Sequence, residues 1–369
     1  GRPGGDAGRR RSIGGLTGVG GVRIGRPVVS VLIALTIPGC PLKAEIQRRV
    51  SEAVTSLAGV DELKLEFTSM TDGERAALRE QLQGDPAATA GSQQGHGHAE
   101  GRAISFAQPG NRTRVLLIAS GKGGVGKSSV TTNLGIALAN MGKKVGILDA
   151  DVWGFSIPRM LGIEQPPTVI DSMIVPPVAN GVSCISMGFF AQEDQAVIWR
   201  GPMLHKALEQ FLTDVYWDEP DYLLVDLPPG TGDISLSLAQ FLPRAEVFVV
   251  TTPNQAAQRV AQRSAFMSHK VNLEVKGVIE NMSWFTGDDN KRYELFGAGG
   301  GQELADRLEV PLLAQIPLVS KLREGGDHGR PIMAVDPDSE ASKVFESLAA
   351  RVDTELAPTR RTHPELKIL

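Results

Sequence analysis

Cysteine is nearly absent from this chain: Cys40 and Cys184 are the only two in 369 residues. Two thiols exclude a disulfide framework and fit a reducing compartment, so the expected location is cytoplasmic. Aromatic residues make up only 5%, and no basic stripe carries interleaved rings on which bases could stack. The formal net charge of −4 supplies no global field for nucleic acid, which is therefore not expected as a partner. The longest apolar run, Val28 to Ile37, is far below the ~20 residues that span a bilayer, and no membrane association is expected. Arg9-Arg10-Arg11, an apolar stretch and then Gly39-Cys40 loosely imitate a twin-arginine lipoprotein signal. Pro38 is awkward beside a cleavage site, and the phosphate loop described below needs cytosolic nucleotide, so export is set aside.

What remains is ordinary for a globular protein, with 41% hydrophobic and 22% charged residues. Residues 1–27 are rich in Gly and Arg without apolar periodicity and are read as irregular. Residues 28–83 form a small α+β domain. Val28 to Pro38 is short and β-branched like a buried strand, and Leu42 to Leu57 spaces Ile46, Val50, Ala53, Val54 and Leu57 as on a helix. Leu63-Lys64-Leu65-Glu66-Phe67 alternates like a strand, and Asp72 to Leu82 reads as a further short helix. Residues 84–112 are a Gly-, Gln-, Ala-, His- and Ser-rich linker, in which His96 and His98 are read as polar spacer rather than a metal clip. Residues 113–357 make the main domain, and 358–369 a tail.

In the main domain, near-continuous apolar strands alternate with helical stretches. Val115 to Ala119, Val145 to Leu148, Tyr222 to Val225, Val247 to Val250, Val275 to Ile279 and Leu312-Leu313 carry this signal. Unbroken apolar strands separated by helices indicate a doubly wound parallel sheet covered on both faces, an α/β fold.

Gly121-Lys122-Gly123-Gly124-Val125-Gly126-Lys127-Ser128 follows the first of these strands and opens a helix read as Ser129 to Asn140. Glycines let successive amides turn inward on phosphate oxygens, and the helix N-terminus adds its positive dipole end. Lys127 would reach the β- and γ-phosphates of ATP, and the Ser128 hydroxyl would ligate Mg²⁺. The expected nucleotide contacts are Gly121, Lys122, Gly123, Gly124, Val125, Gly126, Lys127, Ser128, Ser129 and Gly230. Leu223-Leu224-Val225-Asp226 is an apolar strand ending in a carboxylate, and Asp226 would hold Mg²⁺ through water. Leu227-Pro228-Pro229-Gly230-Thr231-Gly232-Asp233 follows, with glycines suited to a switch that senses the γ-phosphate. Asp149-Ala150-Asp151 closes an earlier strand, and either carboxylate could also be a structural cap.

The early lysine, Lys122, resembles the deviant Walker A loop of the ParA/MinD/ArsA/nitrogenase-iron-protein class. That resemblance implies a homodimer in which Lys122 crosses to the partner's nucleotide. It also implies that Asp151 orients the attacking water and that Asp149 lies in the second shell of the Mg²⁺ site. Lys122, Lys127 and Asp151 are thus the expected catalytic residues. Together with Asp149 to Gly154, Asp226 to Asp233, Glu280-Asn281-Met282-Ser283 and Phe296 to Gly301, the loop resembles the Mrp/ApbC group of iron–sulfur cluster carrier ATPases. The resemblance covers about Arg114 to Val352 and implies that Asn281 contacts adenine. Ile37-Pro38-Gly39-Cys40-Pro41-Leu42 is similar to the iron–sulfur assembly domain that often precedes this ATPase, whereas the part before Val28 does not match.

The family activity implied is ATP-dependent holding and transfer of a [4Fe–4S] cluster at the dimer interface, to apo-proteins or through another carrier. Members that carry a cluster have a Cys-x-x-Cys between the Asn-Met-Ser strand and the glycine-rich stretch. This chain has Thr286-Gly287-Asp288-Asp289 there, and oxygen ligands are poor substitutes for soft thiolate. Cys40, before a proline, is read as a candidate cluster ligand, while Cys184 in a strand-like stretch reads as buried filler. The alternatives are a ParA/MinD-type positioning or partitioning switch without a cluster, and a regulatory module with little turnover.

Overall fold

The computed structural model describes residues 19–25, 28–35, 51, 54, 62–69, 103–108, 110–152, 154–170, 173–190, 201–230, 233–254, 261, 271–356 and 358. The chain divides into two compact units, residues 1–99 and 100–369.

In the first unit, β1 (Val19–Gly25) pairs antiparallel with β2 (Val28–Leu35), and β2 pairs in parallel with β3 (Glu62–Ser69). Strand β1 departs from the irregular reading of residues 1–27. Its glycines hide the period, and its pairing slips between Val19 and Gly21, so the strand exists through its neighbour rather than its own propensity. On β3 the expected alternation holds: Leu63, Leu65 and Phe67 are half-buried, and Lys64, Glu66 and Thr68 are exposed. A parallel β2–β3 pair needs a crossover. Within the helix expected at Leu42 to Leu57, only Ser51 and Val54 are described, and both are helical. Cys40, His96, His98 and the helix expected at Asp72 to Leu82 lie outside the described residues.

The second unit carries β4 (Arg114–Ser120), β5 (Val145–Asp149), the pair β6 (Thr168–Ile170) and β7 (Met173–Val175), β8 (Val178–Ala179) and β9 (Val182–Ser186). They are followed by β10 (Tyr222–Asp226), β11 (Glu246–Thr251), β12 (Glu274–Asn281), β13 (Phe285–Thr286), β14 (Arg292–Tyr293) and β15 (Leu312–Ile316). Eight of these form one sheet in the order β15-β12-β11-β4-β10-β5-β9-β8. All neighbours are parallel except the edge strand β8, which runs antiparallel to β9.

Both sheet faces are buried, as the apolar strands predict. On β4, Val115, Leu117 and Ala119 enter one core, while Leu116 and Ile118 enter the other. Leu208, Phe211 and Leu212 of helix Gly201–Thr213, Leu238 of Asp233–Phe241 and Leu304 of Gly300–Leu308 cover the first core. The second is covered by Val130, Leu134 and Leu138 of helix Lys127–Asn140 and by Phe345 and Leu348 of Glu340–Ala350. Away from the loops, Arg114 donates to Glu246 Oε2 at 2.6 Å and to the Val352 carbonyl at 2.6 Å. Tyr222 Oη donates to Asp353 Oδ1 at 2.7 Å, so the chain's last described turn is tied to the sheet. Among the described residues no helix is long and apolar enough to cross a membrane.

Candidate active site

Strand β4 sits between β10 and β11, and the chain departs from it in both directions across the sheet. Such a switch point leaves a crevice beyond the strands' C-terminal ends. Three of those ends are level: Asp226 of β10 pairs with Asp149 of β5, and Asp149 pairs with Ser186 of β9. The register alone therefore collects a polar row under the crevice.

The loop from Ser120 curls back through Gly124 at φ 78° and Gly126 at φ 79°, conformations that favour glycine. A Cβ on Gly126 would also collide with Asn281 Nδ2. The helix begins at Lys127, two residues before the Ser129 start read from the sequence. Lys122, Gly123 and Gly124 are exposed, whereas Gly121, Val125 and Lys127 are buried.

Asp226, fully buried, is the centre of the site. Its Oδ2 lies 2.5 Å from Lys127 Nζ and accepts from Ser128 Oγ at 2.6 Å. Thr131 Oγ1 lies 2.6 Å from Asp226 Oδ1 and 3.0 Å from the Lys127 carbonyl. Lys127 Nζ is also 4.0 Å from Asp151 Oδ2. A lysine and two hydroxyls thus converge on one carboxylate, and a second carboxylate stands near the same lysine. Thr131 escaped the sequence reading, although its place one turn after Lys127 puts both on the same helix face.

Asp149 organises the loop that carries Asp151. It accepts from the amides of Asp151 at 3.2 Å, Ser156 at 3.2 Å and Ile157 at 3.3 Å, and from Ser186 Oγ at 3.0 Å. Burial, reinforced by the charge of Asp226, pushes its carboxyl up to about 7. Ser186 was not singled out by the sequence, because only strand register brings it beside Asp149. Asp151 Oδ1 accepts from Gly154 N at 3.0 Å, which holds its other oxygen on the Lys127 side. Gly230, at φ 96°, donates its amide to the Ser120 carbonyl at 2.9 Å and fastens the loop after β10 to the end of β4.

Asn281 ends β12 over the loop. Its Nδ2 donates to the Val125 carbonyl at 2.9 Å, and its buried Oδ1 has no hydrogen-bond partner. Hard hydroxyl and carboxylate oxygens at Ser128 and Asp226, 2.6 Å apart, suit magnesium. Ser129 follows in the first helical turn, half-buried.

Two expected positions fall elsewhere. Cys184 lies in the core, where burial drives its thiol pKa well up, so it is packing filler as read. Thr286 to Asp289 begin the turn between β13 and β14. The turn is closed internally: Gly287 N donates to the Lys291 carbonyl at 2.9 Å, and Tyr293 Oη to Asp289 Oδ2 at 2.9 Å.

Sheet and loop together define a P-loop nucleotide-binding protein of the doubly wound α/β type. Residues 111–353 match the NUBPL iron-transfer P-loop NTPase model, and residues 9–65 match the iron–sulfur cluster assembly protein model. The chain belongs to this family of iron–sulfur cluster carrier P-loop NTPases. It is 46% identical over 349 residues to the iron–sulfur cluster carrier protein of Mycobacterium tuberculosis, covering 90% of this chain and 88% of that one. It is 37% identical over 358 residues to the carrier protein of the same description from Synechocystis, covering 95% and 94%. Among solved structures, the nucleotide-binding protein of Archaeoglobus fulgidus in complex with ADP is 34% identical with a TM-score of 0.55. That alignment covers 63% of this chain and 91% of that one. The septum site-determining protein MinD of Pyrococcus horikoshii, complexed with Mg-ADP, is 26% identical with a TM-score of 0.51, covering 66% and 97%. The assembly-protein match begins at residue 9, upstream of the Val28 boundary at which the sequence resemblance stops.

Proposed function

We propose that this protein is a slow Mg-ATPase that works as a homodimer in iron–sulfur cluster assembly. The observation that carries the reading is the convergence of Lys127, Ser128 and Thr131 on Asp226, with Asp151 near the same lysine. The amides of the loop and the start of helix Lys127–Asn140 bind the phosphates, and Lys127 neutralises charge that develops on the transferring phosphoryl group. Ser128 Oγ and Asp226 would hold magnesium, whose charge would supply electrostatic stabilisation of the phosphate oxygens. Asp151 accepts a hydrogen bond from the attacking water and orients it, and Asp149, through the Asp151 amide, fixes where that carboxylate stands. Gly230, tied to Ser120, reports the γ-phosphate to the loop after β10. Lys122, exposed on the loop, acts on the nucleotide of a second copy.

The cluster is cargo rather than a resident group. Among the described residues the only thiol is Cys184, sealed in the core, and the turn at Thr286 to Asp289 offers oxygen ligands. Cargo is therefore held outside the ATPase unit, at Cys40 of the assembly domain or on a separate carrier, and is delivered to apo-proteins. Anaerobic reconstitution of wild type and Cys40→Ala with iron and sulfide separates these routes. A brown species with about four irons per dimer that vanishes in Cys40→Ala assigns the cargo to Cys40. No retained iron, with ATP-dependent dimers intact, assigns it to another carrier. Iron retained equally by both proteins contradicts this placement of the cargo.

A further inference from the structure

Asp151 to Ser156 link β5 to the short helix Ile157–Leu161 and carry the carboxylate assigned above to the attacking water. The far end of that helix is pinned. Gly162, at φ 72°, lies so close to Gly329 that a Cβ on it would stand 2.6 Å from the Gly329 carbonyl oxygen. Arg159 Nε adds a bond to the Asp327 carbonyl at 3.2 Å. The helix is thus a fixed post, and the loop before it needs a hold of its own. Asp149 supplies one through the amides of Asp151, Ser156 and Ile157, at 3.2, 3.2 and 3.3 Å. These bonds are long beside the usual value of about 2.9–3.0 Å.

A second hold comes from an aromatic ring. Phe155 lies against Gly188, where a Cβ would stand 2.6 Å from Phe155 Cγ and 2.9 Å from its Cε2. Gly188 is outside the left-handed region, so the ring alone excludes a side chain there. Gly188 N donates to Ser186 Oγ at 3.0 Å, and Ser186 Oγ donates to Asp149 Oδ2 at 3.0 Å. The backbone under the ring and the carboxylate that takes the loop amides therefore belong to one hydrogen-bonded unit. On the other side of the ring's own backbone, Gly154 N donates to Asp151 Oδ1 at 3.0 Å. The residue next to Phe155 thus sets the turn of the Asp151 carboxylate. The ring itself is 43% exposed, so its share in the core is small, and truncating it carries little folding risk.

We propose that Phe155 is a positioning residue for Asp151: seated on Gly188, its ring holds the Gly154 amide where it fixes the carboxylate that orients the attacking water. The inference rests on the hydrolysis reading above and adds to it the group that keeps Asp151 in one orientation. Without the ring, the nucleotide still binds through Lys127 and the loop amides, but the water is oriented less well.

The test is steady-state Mg-ATP hydrolysis by the full chain, at protein concentrations where the rate per protomer has levelled off. Mg-ATP binding and thermal melting are recorded beside it. Phe155→Ala is expected to lower kcat about 10–10²-fold, the scale of a slightly misplaced reacting group, with Mg-ATP affinity unchanged. Phe155→Tyr keeps the ring and the wild-type kcat. Gly188→Ala pushes the ring off its seat and lowers kcat on the Phe155→Ala scale. In the Phe155→Ala background, Gly188→Ala has no further effect, because the ring it would strike is gone. A Phe155→Ala protein with wild-type kcat, whatever its melting temperature, overturns the inference and leaves hydrolysis standing. So do Gly188→Ala losses that are the same with and without the ring. A defect that disappears at still higher protein concentration assigns the ring to subunit association and also overturns it. A wild type that binds Mg-ATP without hydrolysing it overturns the hydrolysis reading and this inference together.

Discussion

Lys127 Nζ stands 2.5 Å from Asp226 Oδ2, with both side chains buried, so the loop lysine and the carboxylate at the end of β10 form a single electrostatic unit. Removing one partner from a buried pair leaves the other charge uncompensated, at a cost of about 3–5 kcal/mol. Lys127→Ala and Asp226→Ala are each expected to lower stability on that scale in chemical denaturation. The double variant should lose less than the sum of the two. Strict additivity would show that the two side chains do not act on each other. Lys127→Ala should in addition lose nucleotide binding in a calorimetric titration.

Thr131 offers a milder probe of the same carboxylate. Thr131→Val keeps the shape but removes the hydroxyl 2.6 Å from Asp226 Oδ1. Hydrogen bonds to charged groups are worth about 1.5–3 kcal/mol, so stability should fall by about that amount. The apparent affinity for magnesium, measured at saturating ATP, should weaken. An unchanged magnesium titration would remove Thr131 from the site.

The remote end of the sheet sets a pH dependence. The Asp353 carboxyl is held below its ordinary value by Lys143 first and by the Tyr222 hydroxyl second. A lowered folded pKa adds stability above the unfolded value, about 3.9, and that stability disappears as pH falls through the folded value. Asp353→Asn should therefore be less stable than wild type at pH 7, by about 0.5–1 kcal/mol for a half-buried pair still screened by solvent. The two denaturation midpoints should converge in acid. A gap that stays constant from pH 7 to pH 2 would contradict the assignment.

Much of this architecture is legible from residue order, because phosphate binding is done by contiguous backbone. The glycines, Lys127 and Ser128 must be neighbours for the loop to close, and Asp226 announces itself at the end of an apolar strand. The doubly wound sheet follows from strands apolar on both faces. What residue order does not show is what strand register assembles. Ser186 meets Asp149 only because β5 and β9 end level, and Glu280 meets Gly301 only after a helix packs on β12. Strand β1 was missed for a local reason, since its glycines erase the alternation and its partner supplies the order. The sequence shows that the chain has no Cys-x-x-Cys, yet only the structure shows that Thr286 to Asp289, where the resemblance leads one to expect it, belong to a turn closed by its own hydrogen bonds.

The central claim, hydrolysis by a dimer that shares Lys122 across its interface, is tested most directly by steady-state Mg-ATP turnover per protomer over a range of protein concentrations. Wild type and Lys122→Ala would be run in parallel. The wild-type rate per protomer is expected to rise with concentration and then saturate, and Lys122→Ala to bind ATP still but turn it over at least ~10²-fold more slowly. A rate per protomer independent of concentration, with Lys122→Ala as active as wild type, would contradict it.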